Sequence, residues 1–206
     1  MVRTRVGYTG GTRKDPTYRS LGDHTEAFEV EFDPDRISYE DLLDIFWSGH
    51  DPEGPQYSVQ YRSAVFYHDE RQREAALKSR DILASAGKEK ITTAVEEAGT
   101  FYQAEDYHQK YYLRGSGGAA NELRAIYPDP GDFLRSTAVA RVNGYLGGNG
   151  TEEEVEREIG SLGLSEGGQR RLREYVQSSP RRACPLPSRE GAGKRGGGAR
   201  ELSVAP

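Results

Sequence analysis

The sequence predicts an α+β fold followed by a small helical annex. Over residues 1–114, short stretches of alternating apolar and polar residues, typical of strands, are interspersed with apolar residues at helical spacing. Residues 131–177 show helical spacing only. Apolar residues make up 34% of the chain and charged residues 30%, which fits a globular protein with one substantial core. The sequence contains no run of about eighteen apolar residues, so no membrane span is predicted.

Two strands are predicted near the start of the chain, on either side of a glycine-rich loop. Residues 2–8 and 27–33 alternate apolar and polar positions. One face of the second strand carries Phe28, Val30 and Phe32. Between the strands, paired glycines and Pro16 exclude regular structure and predict a loop that lies against the end of the sheet. Loops of this kind often carry functional residues.

The rest of this first domain combines helices and strands. Ser38 is a good N-cap for a first helix. Asp69, with Gln72 three residues later, predicts a capping box for a second helix. Two further strands are expected at residues 60–68 and 91–95, and an aromatic helix at residues 104–113.

The composition changes after residue 114. Residues 115–130 are expected to form a small-residue linker, and residues 131–177 the helical annex. Thr151 and Glu154 predict a capping box for one of its three helices. These helices are expected at residues 133–145, 151–162 and 165–177. From residue 178 to 206 the chain has almost no aliphatic residues, which predicts a disordered tail.

Charge and cysteine content exclude several classes of function. The net charge of −5 argues against nucleic acid as the main partner, because phosphate binding requires basic surface. Cys184 is the only cysteine, so the chain can form neither an internal disulfide nor a cysteine-based metal cluster. The four histidines match no metal-binding pattern, and no cofactor is expected. A reducing compartment, the cytoplasm, is the simplest expectation.

Several short motifs in the first domain are individually specific. They are GYTGG, PTYRS, HTE, SYEDLLDIFWSGHDP, QYRSA and FYQAEDYHQKYY. With these motifs, residues 2–114 resemble the A-type peptide methionine sulfoxide reductases. The resemblance implies a ferredoxin-like mixed sheet with packed helices. It also implies reduction of methionine-S-sulfoxide, free or in oxidised proteins, with electrons from thioredoxin or a small thiol.

The resemblance assigns roles to four residues of this chain. Tyr18 of PTY and Tyr61 of QYR would hydrogen-bond the sulfoxide oxygen, and Glu26 of HTE would protonate it. His24, two residues before Glu26, is expected among the substrate-binding residues. The chemistry is reasonable, since a sulfoxide oxygen leaves only when proton donors stabilise the charge that it gains.

Three departures from the family pattern affect the expected activity. The nucleophilic cysteine of a G-C-F-W segment has no counterpart here, and neither do the family's first strand and helix. We therefore expect an N-terminally truncated and inactive chain. The second departure is Gln56, which stands nearest to the position where many family members carry an aspartate. The third is the spacing between Tyr18 and Glu26, which is shorter than in the best-known members of the family. Cys184 is expected to be an exposed tail thiol, because nothing in its surrounding sequence fixes its position.

Two hypotheses about the function follow, one for an enzyme and one for a binding protein. In the first, the protein is a reductase whose sequence here is incomplete, with a cysteine or selenocysteine in the segment that is lacking. In the second, it is a catalytically dead module that binds methionine sulfoxide or a protein. The topology favours the first, since deleting a central strand leaves unpaired backbone groups inside a sheet. The coding DNA upstream of Met1 would distinguish the two.

Overall fold

The computed structural model describes residues 2–88 and 90–178, together with the backbone of residues 200–205. These residues form two compact units. One contains residues 5–106 and the strand at 200–205, and the other contains residues 2–4 and 107–178. The sequence-based boundary at residue 114 thus lies eight residues beyond the division at 106. None of the helices in the described part of the chain is long and apolar enough to cross a membrane.

The strands and helices are numbered in chain order. The strands are β1 (Arg3–Thr9), β2 (Thr25–Phe32), β3 (Ala64–Tyr67), β4 (Ala94–Glu97), β5 (Tyr102–Gln103) and β6 (Arg200–Ala205). The helices of the first unit are α1 (Tyr39–Ser48) and α2 (Glu70–Ser85). Those of the second are α3 (Tyr111–Gly115), α4 (Gly118–Ile126), α5 (Pro130–Arg135), α6 (Thr137–Leu146), α7 (Glu152–Glu158) and α8 (Glu166–Ser178). Single 3₁₀ turns cover Asp106–His108 and Ile159–Ser161.

The first unit is built on one mixed sheet with the strand order β4-β3-β6-β2-β1-β5. The β3–β4 pair is parallel, whereas β6 runs antiparallel to both of its neighbours. One face of the sheet packs on α1 and α2 through a core that includes Val30, Phe32, Leu43 and Val65. Alternate apolar residues of β2 therefore point towards the helices, as the period of two predicts.

Local capping residues fix where the first helices start. Ser38 accepts a hydrogen bond from the Asp41 amide at 3.0 Å, and the Asp41 carboxylate accepts from the Ser38 amide at 3.1 Å. This confirms Ser38 as an N-cap. Asp69 caps α2 by accepting from the Gln72 amide at 2.8 Å. The Gln72 side chain instead accepts from the His68 amide, so the second half of the predicted capping box reaches one residue further back.

The predicted helix at residues 104–113 is wrong. A 3₁₀ turn at Asp106–His108 is followed by the short helix α3, and Lys110 between them has a φ of 51°, which a continuous helix excludes. The spacing of the aromatic residues predicts a helix but gives no sign of the backbone conformation at Lys110. The Lys110 side chain is buried, and its ammonium donates to the Thr4 carbonyl oxygen at 2.5 Å.

The annex is more helical than the sequence suggests. The predicted linker at residues 115–130 contains α4, which buries Leu123 completely in the core of the second unit. The predicted helix at residues 133–145 is divided into α5 and α6 at Ser136. The Ser136 side chain accepts from the Val139 amide and thereby starts a new helix.

The prediction of a disordered tail fails for residues 200–205, which form β6 between β2 and β3. Pairing on both sides supplies partners for backbone amides and carbonyls, which an isolated extended segment cannot satisfy by itself. Residues 179–199, with Cys184, and residue 206 lie outside the described residues.

Candidate functional site

His24 holds the loop between β1 and β2 in place. Its side chain is buried, with 1% of the residue exposed, and its Nδ1 accepts from the Gly11 amide at 3.2 Å. Its Nε2 lies 2.7 Å from the Arg13 carbonyl oxygen, which can only accept, so the ring proton is on Nε2. A Cβ on Gly11 would lie 2.6 Å from the His24 amide nitrogen, which explains the glycine. Both ring nitrogens bind main chain, so His24 positions the loop and does not fit the predicted substrate contact.

Asp23 reinforces the same loop. Its carboxylate accepts from the amide and hydroxyl of Thr12 at 2.9 and 2.8 Å, and from the Arg13 amide at 3.2 Å. These hydrogen bonds, that of the Thr12 hydroxyl first, lower the pKa of Asp23 to about 2. The loop is thus fixed at neutral pH by an ionised side chain that replaces backbone pairing.

Glu105 orients Tyr18. Its two carboxylate oxygens accept from the Tyr18 amide at 3.1 Å and from the Tyr8 hydroxyl at 2.6 Å. Tyr8 belongs to β1 and is buried, so Glu105 ties the loop that carries Tyr18 to the sheet. The sequence analysis did not single out Glu105.

Tyr18, Tyr61 and Glu26 lie in one hydrogen-bonded cluster around Gln60. The hydroxyl oxygens of Tyr18 and Tyr61 are 3.2 Å apart. The side-chain amide of Gln60 donates to Glu26 Oε1 at 2.6 Å and to the Tyr61 hydroxyl at 3.0 Å. The Glu26 amide in turn donates to the Gln60 carbonyl at 3.0 Å. A carboxyl group, two phenols and one amide therefore meet at the start of β2.

The cluster is open to ligands. Tyr18 is 36% exposed and Tyr61 55%, whereas Glu26 is partly buried. The hydrogen bond to Tyr18 is the largest cause that raises the pKa of Tyr61 to about 12. The Tyr61 phenol is consequently neutral and able to donate a proton in hydrogen bonds across the physiological pH range.

Arg62 supports the cluster from the side of the sheet. Its guanidinium donates to both carboxylate oxygens of Glu96 at 2.6 Å and to the Thr25 hydroxyl at 2.8 Å. Thr25 donates in turn to the Val59 carbonyl at 2.9 Å. Thr25 and Arg62 are the chain neighbours of Glu26 and Tyr61, so this clamp fixes the backbone on both sides of the site.

Gln56 has a structural role in the loop before Tyr61. Its carbonyl oxygen accepts from the Ser63 amide at 2.7 Å, and its amide donates to the Thr92 hydroxyl at 3.0 Å. The side chain therefore shapes the loop by neutral hydrogen bonds and brings no titratable group to the cluster.

Comparison with known proteins places this geometry in a family. The profile of the family described as peptide methionine sulfoxide reductase matches residues 1–126. The chain belongs to the peptide methionine sulfoxide reductase family. The family indicates that the chemistry concerns reduction of methionine sulfoxide, an oxidoreductase activity of protein repair under oxidative stress.

Individual relatives in the peptide methionine sulfoxide reductase family agree. The protein from Methanothermobacter thermautotrophicus is 52% identical over 122 residues, which cover 54% of this chain and 72% of that protein. The protein from Drosophila melanogaster is 40% identical over 172 residues, covering 80% of this chain and 67% of the relative. The 172 aligned residues exceed the 126 matched by the family profile. The similarity to the Drosophila protein therefore includes residues beyond 126, which lie in the helical unit.

A solved structure confirms the fold class. Mxr1 from Saccharomyces cerevisiae, in its reduced form, superposes with a TM-score of 0.50 at 29% identity, covering 55% of this chain and 71% of that one. The α+β fold expected from the sequence is thus the fold of a family member.

Sequence reasoning missed Gln60, which connects Glu26 to Tyr61. The position of Gln60 directly before Tyr61 is the one feature of the sequence that could have indicated a role in the site. Its contact with Glu26 joins residues 34 positions apart and becomes visible only in the folded structure. Among the residues that the structure describes, no group of three or more acidic, histidine or cysteine side chains is arranged to hold a metal ion.

Proposed function

We propose that this protein acts in the reduction of methionine-S-sulfoxide, and that the chain supplies the groups that bind and protonate the sulfoxide oxygen. The single observation that carries the proposal is the cluster in which the Gln60 amide joins Glu26 to Tyr61, with Tyr18 alongside. The substrate is methionine-S-sulfoxide, free or within an oxidised protein.

The chemistry requires hydrogen-bond donors at the oxygen and a proton for it. A sulfoxide oxygen carries high negative charge and accepts two or more hydrogen bonds, which the phenols of Tyr18 and Tyr61 supply. As the sulfur–oxygen bond breaks, the oxygen gains charge and takes a proton, for which Glu26 in its acid form is the donor. Gln60 is a positioning residue, since it fixes the Glu26 carboxyl relative to the Tyr61 hydroxyl.

The sulfur-attacking thiolate comes from outside the cluster. Cys184 is the only cysteine of the 206 residues, and it does not match the family's nucleophile segment. In the complete reaction a cysteine or selenocysteine attacks the sulfur, the thioether leaves as methionine, and the oxygen stays on the attacking atom, as a sulfenic acid in the case of cysteine. Thioredoxin or a small thiol then reduces that group, with release of water. This requirement supports action in a reducing compartment such as the cytoplasm.

A methionine-sulfoxide-binding module is the second candidate function. It is favoured by the same cluster, which has a full set of oxygen-directed groups within a sequence that has no cysteine other than Cys184. In this case the protein would recognise oxidised methionine without repairing it.

The two candidates are separated by binding and turnover measured together. N-acetylmethionine-S-sulfoxide amide should perturb the NMR signals of the Gln60 side chain and of Tyr61, and the R epimer should do so far less. The 206-residue chain should show no turnover with dithiothreitol. A fusion that adds the amino-terminal segment of the Methanothermobacter relative should reduce the S epimer if the chain belongs to a reductase. A fusion that binds without turnover would favour the binding module.

A further inference from the structure

A groove with an aromatic rim lies within the second unit, between α8 and the segment that carries α3. Its volume is about 670 Å³, and the residues that line it all belong to this unit. Leu146 and Leu172 are buried and give it an apolar floor. Four of its lining residues are tyrosines that are 40–72% exposed, namely Tyr107, Tyr111, Tyr112 and Tyr175. An exposed aromatic surface of this kind marks a site of interaction.

Contacts within the unit fix the tyrosine rings of the groove. The Tyr175 hydroxyl donates to the Leu146 carbonyl oxygen at 2.8 Å. The Tyr112 ring packs on the main chain, since a Cβ on Gly147 would lie 2.9 Å from it. The Tyr111 ring meets the Tyr112 ring edge-on, with centroids 5.6 Å apart. A ligand would therefore meet an aromatic surface that loses little side-chain freedom on binding.

Arg171 gives the groove a positive charge. Its guanidinium donates to Glu122 Oε1 at 2.7 Å, while Glu122 Oε2 accepts from the Ser165 amide at 2.8 Å. The Arg171 side chain is nevertheless 56% exposed, and a guanidinium has five N–H donors, so it can bind a further carboxylate. Among the described residues that line the groove, none is acidic. The charge of the groove is thus complementary to an acidic ligand group.

The length and lining of the groove suit a short polyproline II segment. Aromatic grooves bind such segments because the proline rings pack on the aromatic rings and the extended backbone is already ordered. From Gly168 to Tyr175, helix α8 rises about 10 Å. This length accommodates about three or four residues of polyproline II, which rises about 3.1 Å per residue. Arg171 lies one helical turn before Tyr175, a separation of about 6 Å along the axis, which equals about two residues of the peptide.

We propose that this groove is a docking site for an extended, proline-rich peptide with an acidic residue two positions from a proline. The tyrosine rings contact the prolines, and Arg171 pairs with the acidic residue. Single-stranded nucleic acid also stacks on aromatic rings, but it requires a strongly basic groove. Here the lining holds two arginines, one of them already paired with Glu122, and the chain has a net charge of −5. The proposal does not depend on the proposed function.

NMR titration of the full-length chain with the peptide acetyl-EPPLPP-amide tests this proposal. The amide signals of Tyr111 and Gly168 should shift saturably, and those of β2 should not. Acetyl-EAALAA-amide, which lacks the prolines, should bind at least about fivefold more weakly, because its backbone is not preordered. Tyr111→Ala removes the most exposed ring and should weaken binding of the proline peptide at least about fivefold. Tyr57→Ala, the same change at an exposed tyrosine of the first unit, should leave it unchanged.

The role of Arg171 is tested by the choice between two peptides. The wild type should prefer acetyl-EPPLPP-amide over acetyl-QPPLPP-amide by roughly twofold to fivefold, as expected for an exposed ion pair. Arg171→Gln should abolish this preference, whereas Arg170→Gln, at the neighbouring exposed position of α8, should keep it. Absence of saturable binding, equal affinity for the alanine peptide, or unchanged binding in Tyr111→Ala would overturn the proposal. Tighter binding of an oligothymidine at the same amides would also overturn it and would assign the groove to single-stranded nucleic acid.

Discussion

The hydroxyl oxygens of Tyr18 and Tyr61 lie 3.2 Å apart although the residues are 43 positions apart in the chain. Each phenol is placed by separate contacts. Glu105 holds the backbone of Tyr18, while the Gln60 amide donates to the hydroxyl of Tyr61. The two phenols can therefore converge on one acceptor atom.

Tyr18→Phe should lower the pKa of Tyr61. The hydrogen bond to Tyr18 is the largest cause that raises this pKa to about 12, so its loss should return the pKa towards about 10. Tyr61 can no longer donate a hydrogen bond once the pH rises above its pKa. As the pH is raised, sulfoxide binding should therefore begin to weaken at a lower pH in the variant than in the wild type. NMR titration of the ¹³Cζ signal of Tyr61 measures this change. Tyr57→Phe, at a residue that is 87% exposed, is the control, and an unchanged pKa in Tyr18→Phe would contradict the geometry.

Gln60→Leu should weaken binding of methionine-S-sulfoxide by roughly tenfold to a hundredfold. The change removes the hydrogen bonds at 2.6 and 3.0 Å that align Glu26 with Tyr61, and a bond to an ionisable group contributes about 1.5–3 kcal/mol. Titration calorimetry with the S epimer measures the loss. Gln177→Leu on α8 makes the same chemical change at an exposed site and should bind normally. Equal affinities of the two variants would remove Gln60 from the site.

His24→Phe should destabilise the first unit and disorder the loop between β1 and β2. The Gly11 amide and the Arg13 carbonyl lose their partner, and each unsatisfied group costs about 1–3 kcal/mol. Denaturant unfolding, with hydrogen exchange at the Gly11 amide, measures both effects. A variant of wild-type stability with weakened sulfoxide binding would instead support a direct substrate contact.

Lys110→Met should stabilise the protein at pH 7. Burial lowers the pKa of Lys110 from 10.5 to about 8, so between these values the unfolded state binds more protons and stability rises with pH. Below pH 8 the charged side chain opposes folding, and the gain on replacement is at most about 3 kcal/mol, reduced by the lost hydrogen bonds to Thr4. Unfolding measured from pH 7 to 11 tests this, with Lys78→Met at an exposed position as control. A pH-independent difference between Lys110→Met and the wild type would contradict the assignment.

Local chemistry made part of the fold predictable. Ser38 and Thr151 start helices where the sequence placed their caps, because a cap depends on residues three positions apart. The strand pattern of β2 held for Val30 and Phe32, which face one core, whereas Phe28 of the same predicted face is 39% exposed. The helix expected at residues 104–113 failed at Lys110, whose left-handed backbone no periodicity reveals.

The remaining features of the fold and the site depend on long-range contacts, which limited their prediction from the sequence. Residues 200–205 stand in a tail rich in glycine, proline and arginine, and their pairing with β2 and β3 could not be predicted from that composition. In the site, the family motifs singled out Tyr18, Tyr61 and Glu26, which the structure brings into one hydrogen-bonded cluster. The bridging role of Gln60 and the orienting role of Glu105 depend on contacts across 34 and 87 positions respectively, which spacing alone does not show.

The rate of S-sulfoxide reduction by the fusion protein, compared with that of its Glu26→Gln variant, tests most directly whether Glu26 protonates the sulfoxide oxygen. We expect a fall in kcat of roughly a hundredfold or more, because the acid that protonates the oxygen is lost, with nearly unchanged binding of the S epimer. A Glu26→Gln fusion that reduces the sulfoxide at the parent rate would contradict it.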